Sequence, residues 1–109
     1  MPTYNKLVRD NILHILQKDG LRYNARTLND EEYKQAIKTK LHEEVMEFEQ
    51  ASTTKEAVNE LADILELIHA ALCVYDMSFD ELEQARIEKR NERGSFQKRT
   101  LLIDVEDVQ

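Results

Sequence analysis

The feature that most constrains the fold of this chain is how few of its residues interrupt a helix. Its 109 residues include only two glycines and one proline, while the helix-favouring residues Glu, Lys, Leu, Ala and Ile are abundant. Turns depend heavily on Gly and Pro, so architectures with many short strands are disfavoured. The length fits one domain over residues 1–109. The sequence therefore predicts a single all-α domain that resembles a four-helix bundle.

Apolar residues at helical spacing, together with capping residues, predict four helices. Asn29 or Asp30 can cap the second helix, and Gly20 and Gly94 follow the first and the fourth. Two further starts have the spacing of a capping box, in which a Ser or Thr stands three residues before a Glu; these are Thr53 with Glu56 and Ser78 with Glu81. The predicted spans are about 10–18, 29–51, 56–75 and 78–94.

The third predicted helix is apolar almost all round after Leu61. Such a helix belongs at the centre of a bundle or at a subunit interface. It carries more apolar surface than one protomer of this length can cover, so we expect it to be buried. The sequence therefore predicts a homo-oligomer, either a dimer or a tetramer.

Charge and hydropathy exclude several classes of protein. The net charge of −7 argues against non-specific nucleic-acid binding, which requires Lys and Arg to displace counterions. No apolar run is long enough to span a membrane, and the N-terminus lacks the apolar segment of a signal peptide. A single cysteine, Cys73, lies in an apolar stretch and is expected to be a buried thiol. These features predict a cytoplasmic protein with no membrane partner.

Acidic residues lie where an ordinary surface helix would not place them. The predicted buried stripe of the second helix includes Glu44, with Glu47 at its edge and Glu43 further out. That stripe is formed by Ile37, Leu41, Val45 and Phe48. On the third helix, Glu60 and Asp63 share a face with apolar neighbours. Either Glu-x-x-acid pair alone would usually be a solvated surface, but two pairs on successive helices favour a shared site.

Four buried carboxylates must be neutralised, protonated or bound to cations, because uncompensated burial of charge is very costly. Hard oxygen ligands on rigid helices suit Mg²⁺, or Mn²⁺ as a substitute, and leave coordination positions for phosphate oxygens. The pattern therefore predicts a divalent-cation site.

Basic residues cluster near the end of the fourth predicted helix. Arg86, Lys89, Arg90 and Arg93 could complement the helix dipole or form a solvated face. They are also the side chains that a polyphosphate requires. A smaller basic pair, Lys6 and Arg9, precedes the first helix.

The acid motifs resemble those of a known family. Residues 42–47 (His-Glu-Glu-Val-Met-Glu) and 60–63 (Glu-Leu-Ala-Asp) resemble the E-E-x-x-E … E-x-x-D signature of MazG-like proteins. These proteins belong to the all-α NTP pyrophosphohydrolase superfamily. The opening residues 4–10 (Tyr-Asn-Lys-Leu-Val-Arg-Asp) resemble a small branch that is often called phosphoribosyl-ATP pyrophosphohydrolase-like. Residues 89–96 resemble its basic motif, with Gly94-Ser95 where that branch often has two glycines.

The resemblance implies a reaction and a set of site residues. The reaction is Mg²⁺-dependent hydrolysis of a nucleoside triphosphate between the α- and β-phosphates, which yields a nucleoside monophosphate and pyrophosphate. The implied Mg²⁺ ligands are Glu44, Glu47, Glu60 and Asp63. Glu43 or Glu47 would accept the proton of the attacking water. The implied phosphate contacts are Lys89, Arg90, Arg93, Lys6 and Arg9.

Two alternative functions remain open. One is a non-catalytic helical dimerisation or regulatory module that kept the scaffold. The other is a true phosphoribosyl-ATP pyrophosphohydrolase, although the N-terminal motif differs from that of the biosynthetic enzyme. The nucleobase cannot be identified from the sequence.

Overall fold

The computed structural model of the chain describes residues 2–107. This range contains four α-helices and no β-strand, which confirms the prediction of an all-α protein. The helices are α1 (Ile12–Lys18), α2 (Asp30–Gln50), α3 (Thr54–Val74) and α4 (Phe79–Arg93).

The chain divides into two compact units. The first unit ends at Met77 and contains α1, α2 and α3, and the second begins at Ser78 and contains α4 with the segment that follows it. The single domain over residues 1–109 remains a prediction.

Helices α2 and α3 form the hairpin that dominates the first unit. Each has 21 residues, and residues 51–53 connect them. A connection this short between two packed helices requires them to run antiparallel. Glu44 lies six residues before the end of α2, and Glu60 lies six residues after the start of α3. Both are thus about 9 Å along their helices from the connector, so the hairpin places the predicted acid pairs at the same level.

A complete capping box starts α2. The Glu32 amide donates to Asn29 Oδ1 at 2.9 Å, and the Asn29 amide donates to Glu32 Oε1 at 3.2 Å. The Arg26 guanidinium also grips the Glu32 carboxylate, with donor–acceptor distances of 3.0 and 2.6 Å. The predicted cap at Asn29 is therefore correct, and its reciprocal partner Glu32 is an additional finding.

The two predicted capping boxes at α3 and α4 form only their first half. Thr53 Oγ1 and Ser78 Oγ each accept a bond of 3.1 Å from the amide three residues later. The Glu56 carboxylate accepts instead from the amide and the hydroxyl of Ser52, and the Glu81 carboxylate accepts from the Ser78 hydroxyl. Helix α3 begins at Thr54, two residues earlier than predicted.

Burial in the protomer is slight. Within residues 2–107, only Ile37 (3% exposed) and Glu44 (6% exposed) are buried. No residue of α3 is buried, so the predicted burial of this helix is not met inside the protomer. Cys73 is exposed, so the predicted buried thiol is wrong. A two-helix hairpin covers only one strip of each helix, which leaves the other faces of α2 and α3 accessible.

Only part of the predicted α2 stripe is covered. Ile37 is buried and Leu41 is half-buried, but Val45 and Phe48 are exposed. Among the residues that the structure describes, none of the helices is long and apolar enough to cross a membrane.

The α2 capping box predicts a specific pH dependence of stability. Hydrogen bonds from Arg26 and then from the Asn29 amide lower the pKa of Glu32 to about 2, from an ordinary value of 4.5. This stabilisation is present above pH 4.5 and is lost as the pH falls towards about 2. We expect Glu32→Gln to lower the melting temperature at pH 7 and to have little effect near pH 2, as measured by circular dichroism.

Glu31→Gln is the matched control for this prediction, because Glu31 lies in the same first turn and takes part in an exposed ion pair with Lys34, at 3.7 Å, instead of the capping box. It should change the melting temperature less at pH 7. An equal loss for both variants would mean that helix-dipole charge, rather than the capping box, stabilises this end of α2.

Candidate metal centre

The α2–α3 hairpin brings three of the four predicted metal ligands together. One carboxylate oxygen from each of Glu44, Glu47 and Glu60 lies within 4.8 Å of the other two. Glu44 and Glu47 share a face of α2 because they are three residues apart. Glu60 reaches them from α3, which is packed against that face.

Two oxygens in this cluster are buried without a hydrogen-bond partner among residues 2–107. They are Glu44 Oε2 and Glu60 Oε2. The other Glu44 oxygen, Oε1, lies 3.8 Å from Lys40 Nζ. A buried, unpartnered carboxylate oxygen forgoes the solvation it had in water, and a bound cation is the usual compensation.

The surroundings of Glu44 strongly alter its ionisation. Its pKa is raised to about 7, from an ordinary value of 4.5. Burial is the main cause of the rise, followed by hydrogen-bonding contact with the Glu60 and Glu47 carboxylates and by the negative charges of Glu47 and Asp63. Lys40 does not compensate for these effects. Without a cation, Glu44 is therefore protonated near neutral pH to a much larger extent than an ordinary glutamate.

The donor set fits a hard divalent cation. Magnesium binds oxygens octahedrally at about 2.0–2.1 Å, so adjacent ligand oxygens are roughly 3 Å apart and opposite ones roughly 4 Å apart. The oxygens of Glu44, Glu47 and Glu60 are all within 4.8 Å of one another, so small side-chain rotations would bring them into range. The three clustered ligands are all carboxylates, and carboxylate ligands favour Mg²⁺ or Mn²⁺ over softer metals.

The fourth predicted ligand, Asp63, is placed differently. It is not one of the three clustered ligands, and its Oδ1 accepts a hydrogen bond of 2.6 Å from Arg9 Nη2. Arg9 was predicted to contact phosphate. The structure thus brings two predicted site residues together in a pairing that the sequence did not predict.

The remaining predicted phosphate contacts are exposed cations. Lys6 precedes α1, and Lys89, Arg90 and Arg93 lie on α4 in the second unit. None of these four forms an ion pair with any residue in the range 2–107. Arg86, by contrast, is paired with Glu83 one turn earlier. Contact of the four unpaired cations with phosphate remains a prediction.

The sequence interpretation missed Lys40. Its Nζ lies 3.2 Å from Glu43 Oε2 and 3.8 Å from Glu44 Oε1, so it fixes the orientation of the half-buried Glu43 beside the cluster. Lys40 stands three and four residues before these acids, a spacing at which helical side chains of opposite charge meet. That spacing could have identified it.

Removal of the buried Glu44 charge should have opposite effects on the stability of the metal-free protein and on Mg²⁺ binding. Burial of ionised Glu44 opposes folding increasingly as the pH rises from 4.5 through about 7. At pH 8 with a chelator present, we therefore expect Glu44→Gln to stabilise the protein, on the order of 1–3 kcal/mol. The same variant should lose the rise in melting temperature that Mg²⁺ gives the wild type.

The matched control is Glu49→Gln, an exposed change on the same helix. It should leave both the melting temperature and its response to Mg²⁺ unchanged. If the chelated Glu44→Gln protein were less stable than the wild type at pH 8, the proposed cost of the buried carboxylate would be wrong.

Comparison with known proteins bears on the identity of this chain. A sequence model of the phosphoribosyl-ATP pyrophosphohydrolase family matches residues 8–91, a range that includes all the clustered acids, Asp63, Arg9 and α4 up to Asn91. No curated protein and no solved structure matches the chain significantly. The matched range covers well over half of the chain, and the all-α fold agrees with it. The chain therefore belongs to the phosphoribosyl-ATP pyrophosphohydrolase family, within the all-α NTP pyrophosphohydrolase superfamily.

Proposed function

We propose that the protein is a Mg²⁺-dependent nucleoside triphosphate pyrophosphohydrolase of the house-cleaning type. It cleaves between the α- and β-phosphates and releases a nucleoside monophosphate and pyrophosphate. The observation that carries the proposal is the cluster of Glu44, Glu47 and Glu60, in which two buried oxygens have no partner within residues 2–107. A helical module with only a structural role has no physical reason to keep such a cluster.

The acids have distinct parts in this proposal. Glu44 and Glu60 hold the cation from the covered side of the hairpin, and Glu47 and Asp63 complete the ligand set. When bound, Mg²⁺ would neutralise phosphate charge and acidify water. Glu47 is exposed, so it can reach both the cation and the solvent.

Glu47 or Glu43 accepts the proton of the attacking water. The Lys40 ammonium lies 3.2 Å from Glu43 Oε2, so it holds the Glu43 carboxylate in place beside the cluster. The water oxygen attacks the α-phosphorus as the bond between that phosphorus and the α–β bridging oxygen breaks. The leaving pyrophosphate takes the electron pair of that bond.

Basic side chains stabilise the charge that develops on the phosphates. Arg forms bidentate hydrogen bonds with phosphate oxygens, and Lys contributes a point charge. We assign this role to Lys89, Arg90 and Arg93, whose charges no acid neutralises within residues 2–107, and also to Lys6 and Arg9. These contacts position the substrate and offset its negative charge, so that the acidic cluster does not repel it.

Phosphoribosyl-ATP is a second candidate substrate, because the matching family model carries that description. It contains the same α–β phosphoanhydride as ATP, so the same acids and cations would serve. The two candidates differ in the group attached to the purine. A substrate panel separates them.

The protein is also proposed to act as a homo-oligomer in the cytoplasm, either as a dimer or as a tetramer. The faces of the hairpin that α2 and α3 do not cover carry large apolar side chains: Val45, Met46, Phe48, Val58, Leu61 and Leu65 are all exposed. Burial of such a surface is the main driving force of association. A second copy of the chain offers a matching apolar face, as twofold symmetry requires.

The enzyme assignment predicts Mg²⁺-dependent pyrophosphate release from a panel of nucleoside triphosphates and phosphoribosyl-ATP. We expect Glu47→Ala to lower kcat by at least about 100-fold, since it removes a cation ligand and a potential base. Glu49→Ala, two residues further along α2, should retain full activity. Absence of pyrophosphate release from every substrate, by a wild type that also fails to bind Mg²⁺ in calorimetry, would support the non-catalytic module instead.

The oligomer assignment predicts that charge on the exposed hairpin face separates the subunits. Leu61 and Leu65 are 49% and 48% exposed, so a double change of both to Glu should introduce little strain within the protomer. Light scattering after size exclusion should then give the monomer mass of 12.8 kDa or an unfolded chain. Leu102→Glu, at an exposed residue beyond α4, is the control and should retain the oligomer mass. A wild type that already elutes as a monomer would overturn the assignment.

A further inference from the structure

An ion pair links the N-terminal segment to the edge of the acidic cluster. Arg9 Nη2 lies 2.6 Å from Asp63 Oδ1, and the two residues are 54 positions apart in the chain. The pair thus brings the N-terminal segment into contact with α3.

The charge of Asp63 acts on the clustered acids of the candidate metal centre. It stands one turn after Glu60 on α3, and its negative charge contributes to the altered ionisation of Glu44. Arg9 therefore neutralises the one acid of the predicted ligand set that lies outside the group of three. Lys40 is the other cation that pairs with acids at this site.

We propose that Arg9 is an exchangeable counter-cation, which forms an ion pair with Asp63 until Mg²⁺ and substrate bind. In this exchange Asp63 would leave Arg9 and join Glu44, Glu47 and Glu60 as a ligand, and the released guanidinium would bind the phosphates. The inference rests on the proposed function and specifies how its site is loaded. Arg9 thus opposes the binding of Mg²⁺ alone and favours the binding of substrate.

The geometry allows this exchange. The side chains of Arg9 and Asp63 are 56% and 37% exposed, and exposed ion pairs are weak enough to be displaced. Arg9 lies in a segment without helix or strand, residues 2–9, and its carbonyl accepts a hydrogen bond of 3.0 Å from the amide of Ile12 at the start of α1. The side chain can therefore leave Asp63 while the backbone stays beside α1. A guanidinium that donates hydrogen bonds to a carboxylate can donate them equally to a phosphate. One side chain can therefore bind Asp63 before the substrate arrives and the phosphates afterwards.

Calorimetric titration of the full-length, metal-free protein with Mg²⁺ alone tests the first half of the exchange. Arg9→Gln should bind Mg²⁺ more tightly than the wild type, by about two- to fivefold at low ionic strength, because it removes a weak competing pair. High salt should reduce the difference. Unchanged or weaker Mg²⁺ binding by Arg9→Gln would overturn the inference.

Arg26→Gln is the matched control. Arg26 pairs with Glu32 at the same distance of 2.6 Å and with similar exposure, 67% and 39%, but Glu32 lies twelve residues before Glu44 on α2, about 18 Å along the helix. Its loss should leave Mg²⁺ affinity unchanged. An equal gain in both variants would mean that net charge, rather than the pairing with Asp63, sets the affinity.

A double-mutant cycle tests whether Arg9 acts through Asp63. In an Asp63→Asn background, Arg9→Gln should no longer raise Mg²⁺ affinity, because the competing carboxylate is gone. A gain that persists in that background would contradict the exchange. Far-UV circular dichroism of all four proteins checks that the helices are retained.

Steady-state kinetics test the second half. Arg9→Gln should raise KM for the preferred substrate while it tightens Mg²⁺ binding, and a KM at or below that of the wild type would overturn the phosphate role. Failure of the wild type to bind Mg²⁺ would overturn the proposed function together with this inference. Normal wild-type binding and catalysis, with no effect of Arg9→Gln, would overturn this inference alone.

Discussion

The burial of the Glu44 carboxylate between two helices is the constraint on which the rest of the site depends. Glu44 and Ile37 are the two buried residues in the described part of the chain, so a charge occupies one of the few covered positions. Glu60 faces it across the hairpin with a second buried oxygen, and neither finds a donor there. Lys40 is too distant from these two oxygens to satisfy them. A cation that binds several carboxylates at once would neutralise their charge together.

This constraint links function to stability. Clustered carboxylates repel one another and resist desolvation, so they weaken the metal-free hairpin. Any ligand that binds only the folded state restores stability in proportion to the logarithm of its concentration. The slight apolar burial of the protomer acts in the same direction, since little of its hydrophobic surface contributes to its stability. We therefore expect the proposed metal binding and self-association to raise the free energy of unfolding, which is low for the isolated, metal-free protomer.

Features set by neighbours on one helix could be predicted from the sequence, and features set by distant contacts could not. The burial of Glu44 follows from its position among Ile37 and Leu41, and the cap at Asn29 follows from local preference. The Arg9–Asp63 pair joins residues 54 positions apart, and no periodicity reveals it. The apolar pattern of α3 shows that the helix needs a partner surface but not whether that surface lies in the same protomer, so Cys73 was wrongly expected to be buried. The family resemblance supplied the ligand set as a hypothesis, and the structure groups only three of its four members.

The position of the acids relative to the connector has a consequence for folding. Glu44 and Glu60 are separated by sixteen positions, and the turn at residues 51–53 lies midway between them. Closing so short a loop costs little entropy, and contacts that are local in sequence form early. The proposed cation site therefore lies within the αα-hairpin and can assemble before chain segments outside the hairpin are in place. A newly formed hairpin that binds a metal ion would then serve as a folding nucleus. The same ion would thus assist folding and remain bound in the folded protein.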